Sequence, residues 1–226
     1  IRDRYKNMIG DCSADVVSST VPCSTKWMVG TVNSFYIGII ATVIATALGT
    51  LAALGLSRPH MPYKGLIMAI LISPMIVPLI ITAAGMFFFY ARINLVYTFT
   101  GVILAHVALA TPFVVITVTA TLVGFDMNMV KAAQSLGAKP MRTFFKVIMP
   151  LILPGIISGA LFAFITSFDE VVIVMFMASI DQLTIPKQMW AGIRQEISPV
   201  ILCMATCLVL LSIFCLLYTS DAADDP

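Results

Sequence analysis

The sequence predicts an all-α membrane protein, a polytopic bundle of helices. Of its 226 residues, 60% are hydrophobic and only 11% are charged, and the mean hydropathy of +1.02 lies above the range of soluble domains. The apolar residues also fall into five long, charge-poor runs, whereas buried strands of a soluble sheet stop after about 4 to 8 residues. Each run supplies the roughly 20 residues a helix needs to cross a hydrocarbon core about 30 Å thick. Thirteen Lys and Arg against eleven Asp and Glu leave a net charge of +2, too small and too scattered to point to nucleic acid.

Residues 1–27 form a polar head containing Cys12 and Cys23, which could pair if the head faces an oxidising compartment. The chain opens on Ile1, with neither a start methionine nor a signal-peptide pattern, so a fragment is expected. The first span runs from about Met28 to Leu56 and the second from Gly65 to Tyr90. The third runs from Thr98 to Gly124, the fourth from Val147 into the 170s, and the fifth from Ile197 to Tyr218. Pro74, Pro78 and Pro112 lie inside spans, where each removes a backbone donor and bends its helix. Ala41, Ala45, Gly49 and Ala53, and again Gly155, Gly159 and Ala163, recur at four-residue spacing. Each set makes a groove into which a second helix can pack, so the spans should form a bundle.

Six Lys and Arg fall in the loops at 57–64 and 123–146, against four on the other side. That asymmetry places the 123–150 loop in the cytoplasm, the head outside and the C-terminus inside. Trp27 and Trp190 fall near the expected membrane interfaces. His106 reads as a hydrogen-bonded interior histidine, since no second ligand sits at metal spacing, and His60 as solvated. Cys203, Cys207 and Cys215 read as small buried apolar side chains, and the fourteen methionines as filler. The acidic tail, residues 219–226, is expected to be disordered or non-native.

The longest polar connection, Asp126 to Pro154, is DMNMVKAAQSLGAKPMRTFFKVIMPLILP. Asp126 can cap a helix over Met127 to Leu136; Gly137 stands where a left-handed C-terminal residue is wanted, and Pro140 blocks continuation. A second short helix, Met141 to Ile148, leads to Pro150. A helix-turn-helix at the membrane surface exceeds what linking two neighbouring spans requires, and such loops carry function.

Ala132-Ala133-x-x-x-Gly137, followed by the Pro150 and Pro154 pair, resembles the cytoplasmic EAA loop (here 126–150) of permease subunits in binding-protein-dependent ABC importers of the type I fold. The likeness spans residues 28–218 as one permease domain. It is strongest to the spermidine/putrescine permeases through Asn33-Ser34, Ala-Ala-Leu-Gly-Leu-Ser-Arg58, Ser167-Phe168-Asp169-Glu170-Val171, Thr184-Ile185-Pro186 and Ile197-Ser198-Pro199. Such permeases have six spans, so the resemblance implies that the first is missing from the five present here. It further implies a bacterial inner-membrane location and an EAA-like loop that docks on a cytoplasmic ATPase. Lys131, Ala132, Ala133, Leu136, Gly137, Ala138 and Arg142 would make that contact, with Lys139 and Lys146 on its rim. Lys131 stands where the family usually has Glu. Pro150, Pro154, Gly155, Gly159 and Ser167 take structural roles. The implied partners are a second permease subunit, two ATPase subunits and an external substrate-binding protein, with membrane lipid around them and no nucleic acid. Polyamines are the implied substrate; ferric iron, thiamine, aminophosphonates and sulfate-like anions are alternatives on the same scaffold.

Asp169 and Glu170 are adjacent carboxylates in a stretch otherwise apolar from Val147 to Ile180, where charge is costly and usually functional. Two readings stand. Ser167-x-x-Glu170 matches a capping box that would start a new helix at Phe168; a continuous helix from Leu151 to Ile180 would reach about 45 Å, too long for one crossing. Alternatively, the pair lines a substrate pathway and meets a cation; residues about 100° apart on a helix would let one of them do so directly.

No His-Glu-x-x-His or Gly-x-Ser-x-Gly occurs, so no hydrolase is indicated. No Gly-x-x-x-x-Gly-Lys-Ser/Thr loop is present either, so ATP and its magnesium are expected on a partner, with no cofactor in this chain. An ion-coupled secondary carrier is the competing class, but it gives no reason for a surface helix-turn-helix.

Overall fold

The computed structural model describes residues 23–58, 61–124, 127–195, 201–210 and 212–213. The possible Cys12–Cys23 disulfide, most of the polar head, His60, the Asp126 cap, Ile197-Ser198-Pro199 and the 219–226 tail lie outside the described residues.

Every regular element among the described residues is helical. Helix α1 (Cys23–Leu56) has 34 residues, α2 (Lys64–Ile76) and α3 (Leu79–Arg92) follow, and α4 (Phe99–Val123) has 25. A short α5 (Met127–Ser135) and α6 (Pro140–Thr143) lead through a π-helical turn (Phe144–Ile148) into α7 (Met149–Phe168). Helices α8 (Val172–Met177), α9 (Ile185–Gln195) and α10 (Ile201–Leu210) complete the described chain.

The core is a three-helix packing of α1, α4 and α7. Ala41, Ala45 and Ala53 on α1, Val114 and Val118 on α4, and Ile152 and Ala163 on α7 are fully buried in one cluster. Both small-residue grooves face α4. A Cβ on Gly49 would stand 2.6 Å from Val114 Cβ; one on Gly155 would strike Thr121 Oγ1, and one on Gly159 would strike Thr117 Oγ1. Small residues there let the backbones approach closely, which supplies the packing that lipid cannot drive by the hydrophobic effect. Helix α4 is entered cleanly, with Thr98 Oγ1 accepting from Gly101 N at 3.0 Å, the N-cap contact expected of threonine.

Among the described residues, three helices are long and apolar enough to span a membrane: Trp27–Leu56, Phe99–Val123 and Pro140–Phe168. A fourth crossing is formed only if α2 and α3, bent by 104° at their junction, act together. The sequence reads that stretch as one kinked span from Gly65 to Tyr90; the structure breaks it. Val77 is extended (φ −71°, ψ 136°) and Pro78 stands at the start of α3, as the steric clash of a proline with its preceding residue demands. Pro74 is accommodated inside α2. The fifth expected span is described over Ile201–Leu210.

Candidate functional site

Two places carry the polar chemistry. The first is the surface helix-turn-helix. Helix α5 ends as its sequence predicts: Gly137 has φ +80°, Gly137 N donates to Gln134 O, and Ala138 N donates to Ala133 O. These bonds occupy the carbonyls a helix C-terminus leaves unpaired. Val130, Ala133 and Ala138 are half-buried toward the body, whereas Lys131, Ala132, Leu136 and Gly137 are exposed. Leu136 is 89% exposed, and nothing lies within 4 Å of the place a Cβ on Gly137 would occupy. Lys139, Arg142 and Lys146 are exposed as well. The outward face therefore centres on Ala132 and Leu136.

The second short helix is corrected in detail. Only Pro140–Thr143 is α-helical, and residues 144–148 form a π turn in which Met149 N donates to Phe144 O. Pro150 does not end the segment, which runs on into α7. Pro150 has no N–H for the Lys146 carbonyl, and its ring would crowd that carbonyl in an α-helix; the wider turn relieves both. The surface helices are thereby joined to the third long span, Pro140–Phe168, without a flexible linker.

The second place is the break after α7. The expected helix start at Phe168 is overturned: α7 continues through Phe168, and α8 begins at Val172. Ser167 caps nothing. It is buried, and its Oγ lies 2.8 Å from His106 Nδ1, joining α7 to α4. His106 is the interior hydrogen-bonded histidine expected, although its Nε2 is buried without a partner. Glu170 takes the capping part instead, its Oε1 accepting from Ile173 N at 3.0 Å. Glu170 is buried and Asp169 is exposed, so the two carboxylates divide: one is consumed inside the fold, and the other is available at the surface. Phe35, Phe164 and Phe168 pack their rings beside the break, with Phe35 and Phe168 centroids 5.0 Å apart.

A third set of contacts joins residues that the sequence marks only through the family resemblance, Asn33-Ser34 and Ile185 among them. Asn33 Nδ2 donates to Asp181 O (2.8 Å) and Leu183 O (3.0 Å), and Ser34 Oγ accepts from Ile185 N (2.9 Å). Gln182 Oε1 accepts from Ser179 N. Lys187 Nζ donates to Val174 O and Ala178 O at 3.2 and 3.0 Å, placing its charge against the C-terminal carbonyls of α8; burial pushes that ammonium below the ordinary lysine value. Tyr97 N donates to Met177 O (2.9 Å). Together these bonds hold residues 172–188 onto α1 and the start of α4, so Asp169 and Glu170 sit between two anchored segments. A polar pair inside an apolar span, Asn33-Ser34, was the available signal, because buried polar groups must find partners.

An apolar groove of about 310 Å³ between α1 and α7 is lined by Ile39, Thr42, Val43, Ile157, Ala160, Leu161 and Phe164. It carries no charge and offers nothing to select an ion. Among the described residues, no group of His, Cys, Asp and Glu could hold a metal.

Residues 25–220 match the family described as binding-protein-dependent transport system inner membrane component. The chain belongs to that family. It is a permease subunit of an ABC importer, a multi-pass protein of the bacterial inner membrane. Over 182 residues it is 30% identical to the spermidine/putrescine transport system permease protein PotC of Haemophilus influenzae, covering 80% of this chain and 71% of that protein. It is 29% identical over 212 residues to the putrescine transport system permease protein PotI of Escherichia coli K12, covering 86% and 75%. The fold is similar to that of the inward-facing MetNI methionine ABC transporter, with a TM-score of 0.71 at 17% identity over 90% of this chain and 97% of that one.

Proposed function

We propose that this permease imports polyamines such as spermidine and putrescine. It would do so as one of a pair of permease subunits, driven by two cytoplasmic ATPase subunits and loaded by an external binding protein. The similarity to PotC and PotI carries the substrate class. ATP and magnesium belong to the ATPase in this reading, and the chain itself contributes no cofactor site. The exposed outward face of α5 is the surface on which the ATPase docks, with Ala132 and Leu136 at its centre and Lys131, Arg142 and the other bases around it. The continuous segment from α6 through the π turn into α7 then carries motion of the dock to the helix break.

At that break Asp169 offers a carboxylate to a substrate ammonium, and Glu170 holds the start of α8 in place. Charge inside the membrane is costly unless it meets its opposite, which suits an exposed acid on the route of a polycation. In the assembled importer, Asp169→Asn should reduce spermidine uptake by about tenfold or more, the loss expected when one charge-assisted hydrogen bond disappears. Uptake and ATP hydrolysis are measured together. Full uptake by Asp169→Asn would remove Asp169 from the pathway.

A further inference from the structure

Both arms of the helix break are tied to one helix. On the near side, Ser167 in the last turn of α7 meets His106 of α4, Oγ to Nδ1 at 2.8 Å. On the far side, the Met177 carbonyl at the end of α8 accepts from Tyr97 N (2.9 Å), just ahead of the first residue of α4. Asp169, Glu170 and Val171 bridge the two arms. Where the exposed Asp169 carboxylate stands therefore depends on how α7 and α8 are seated on the first half of α4.

The two attachments differ in kind. The Met177 bond is main chain to main chain and does not depend on either side chain. The His106–Ser167 bond depends on two side chains, both buried, with His106 at 1% exposure and Ser167 at 6%. Val114 and Val118 of α4, and Ile152 and Ala163 of α7, share one apolar core, and apolar contacts of this kind tolerate a small slide or rotation of one helix on the other. Such a movement would leave Ser167 Oγ and His106 Nδ1 each buried without a partner, which is unfavourable in an apolar interior. The bond thus selects one register of α7 on α4 out of several that packing would allow. His106 also carries a cost of its own: Nε2 is buried and finds no partner among the described residues, whichever ring nitrogen bears the proton. An apolar side chain of similar size would avoid that cost, so packing alone does not account for an imidazole at this position.

We infer that His106 is a positioning residue for transport: through Ser167 it fixes the register of α7 on α4, and thereby the place of the Asp169 carboxylate. The inference rests on the reading of Asp169 as a contact for a substrate ammonium.

The test is a double-mutant cycle in proteoliposomes holding the permease, its ATPase and the binding protein. Spermidine uptake and ATP hydrolysis are measured per permease, with thermal unfolding in detergent as the check on folding. Asp169→Asn and His106→Leu should each lower uptake about tenfold, and the double variant should be no more than about twofold worse than Asp169→Asn alone, because a carboxylate that is already gone cannot be misplaced. Ser167→Ala removes the same bond by deleting one oxygen and should reproduce His106→Leu; it replaces that variant in the cycle if His106→Leu does not fold. His106→Asn, whose amide nitrogen can reach the place of Nδ1, should recover most of the loss. Losses that multiply in the double variant would make the bond a plain structural contact and overturn the inference, as would a His106→Asn no better than His106→Leu. Uptake kept by His106→Leu and Ser167→Ala but lost by Asp169→Asn would leave Asp169 in the pathway and remove His106 from positioning it. Full uptake by Asp169→Asn would end both readings.

Discussion

At the scale of the residue, the glycines of α7 are set by their neighbours. A Cβ on Gly159 would strike Thr117 Oγ1 and stand 3.1 Å from Val114 Cα, an obstacle of backbone that cannot turn aside. Gly159→Ala should lower stability by about 1–3 kcal/mol, the usual range for overpacking. Gly85 in α3 has open space around it, and Gly85→Ala should be neutral or gain about 0.5–1 kcal/mol from helix propensity. Thermal unfolding in detergent distinguishes the two; equal effects would show that the α4–α7 contact does not depend on a bare backbone. The four-residue spacing of these glycines made the groove legible in the sequence. The role of Ser167 was not. Its position three residues before Glu170 matches a capping box, a purely local pattern, whereas its actual partner, His106, lies 61 residues away. Local rules see the hydroxyl and the carboxylate but not α4, the helix that packs against α7 and brings His106 to Ser167.

At the scale of the element, the surface helix-turn-helix was readable because its punctuation is local. Gly137 has φ +80°, a conformation that costs an L-residue roughly 1–2 kcal/mol and that asparagine tolerates better than β-branched residues. Gly137→Asn should therefore keep ATPase association close to normal, whereas Gly137→Val should fray α5 and weaken it, as read by limited proteolysis and co-purification. Equal behaviour of the two would mean that Gly137 serves contact rather than conformation. The break between α2 and α3 was legible only in part. Prolines at 74 and 78 announce a disturbance, but only Pro78 has an extended residue before it, and composition alone does not decide which proline a helix absorbs. The π turn at 144–148 left no composition signal, since Phe-Phe-Lys-Val-Ile is equally suited to an α-helix; Pro150 four residues beyond Lys146 is its physical cause.

At the scale of the whole molecule, hydropathy located the membrane portion, and the small-residue stripes named two of the three helices that build its core, α1 and α7. The connections made by Asn33 and Ser34 across long stretches of chain were beyond the reach of periodicity, because hydrogen bonds to backbone groups leave no pattern in side-chain spacing. Those connections make the two candidate places parts of one object. The surface helix-turn-helix, the proposed dock, continues through the π turn into α7, and the far end of α7 leads to an exposed Asp169, which under the proposed function gives force at one end a structural route to the other. The measurement that tests this most directly is ATP-dependent spermidine accumulation in proteoliposomes holding the permease, its ATPase and the binding protein, with and without Ala132→Trp. Accumulation that requires ATP and is lost in the variant, together with ATPase association, is the predicted result; accumulation that survives Ala132→Trp, or that follows an ion gradient without ATP, would contradict it.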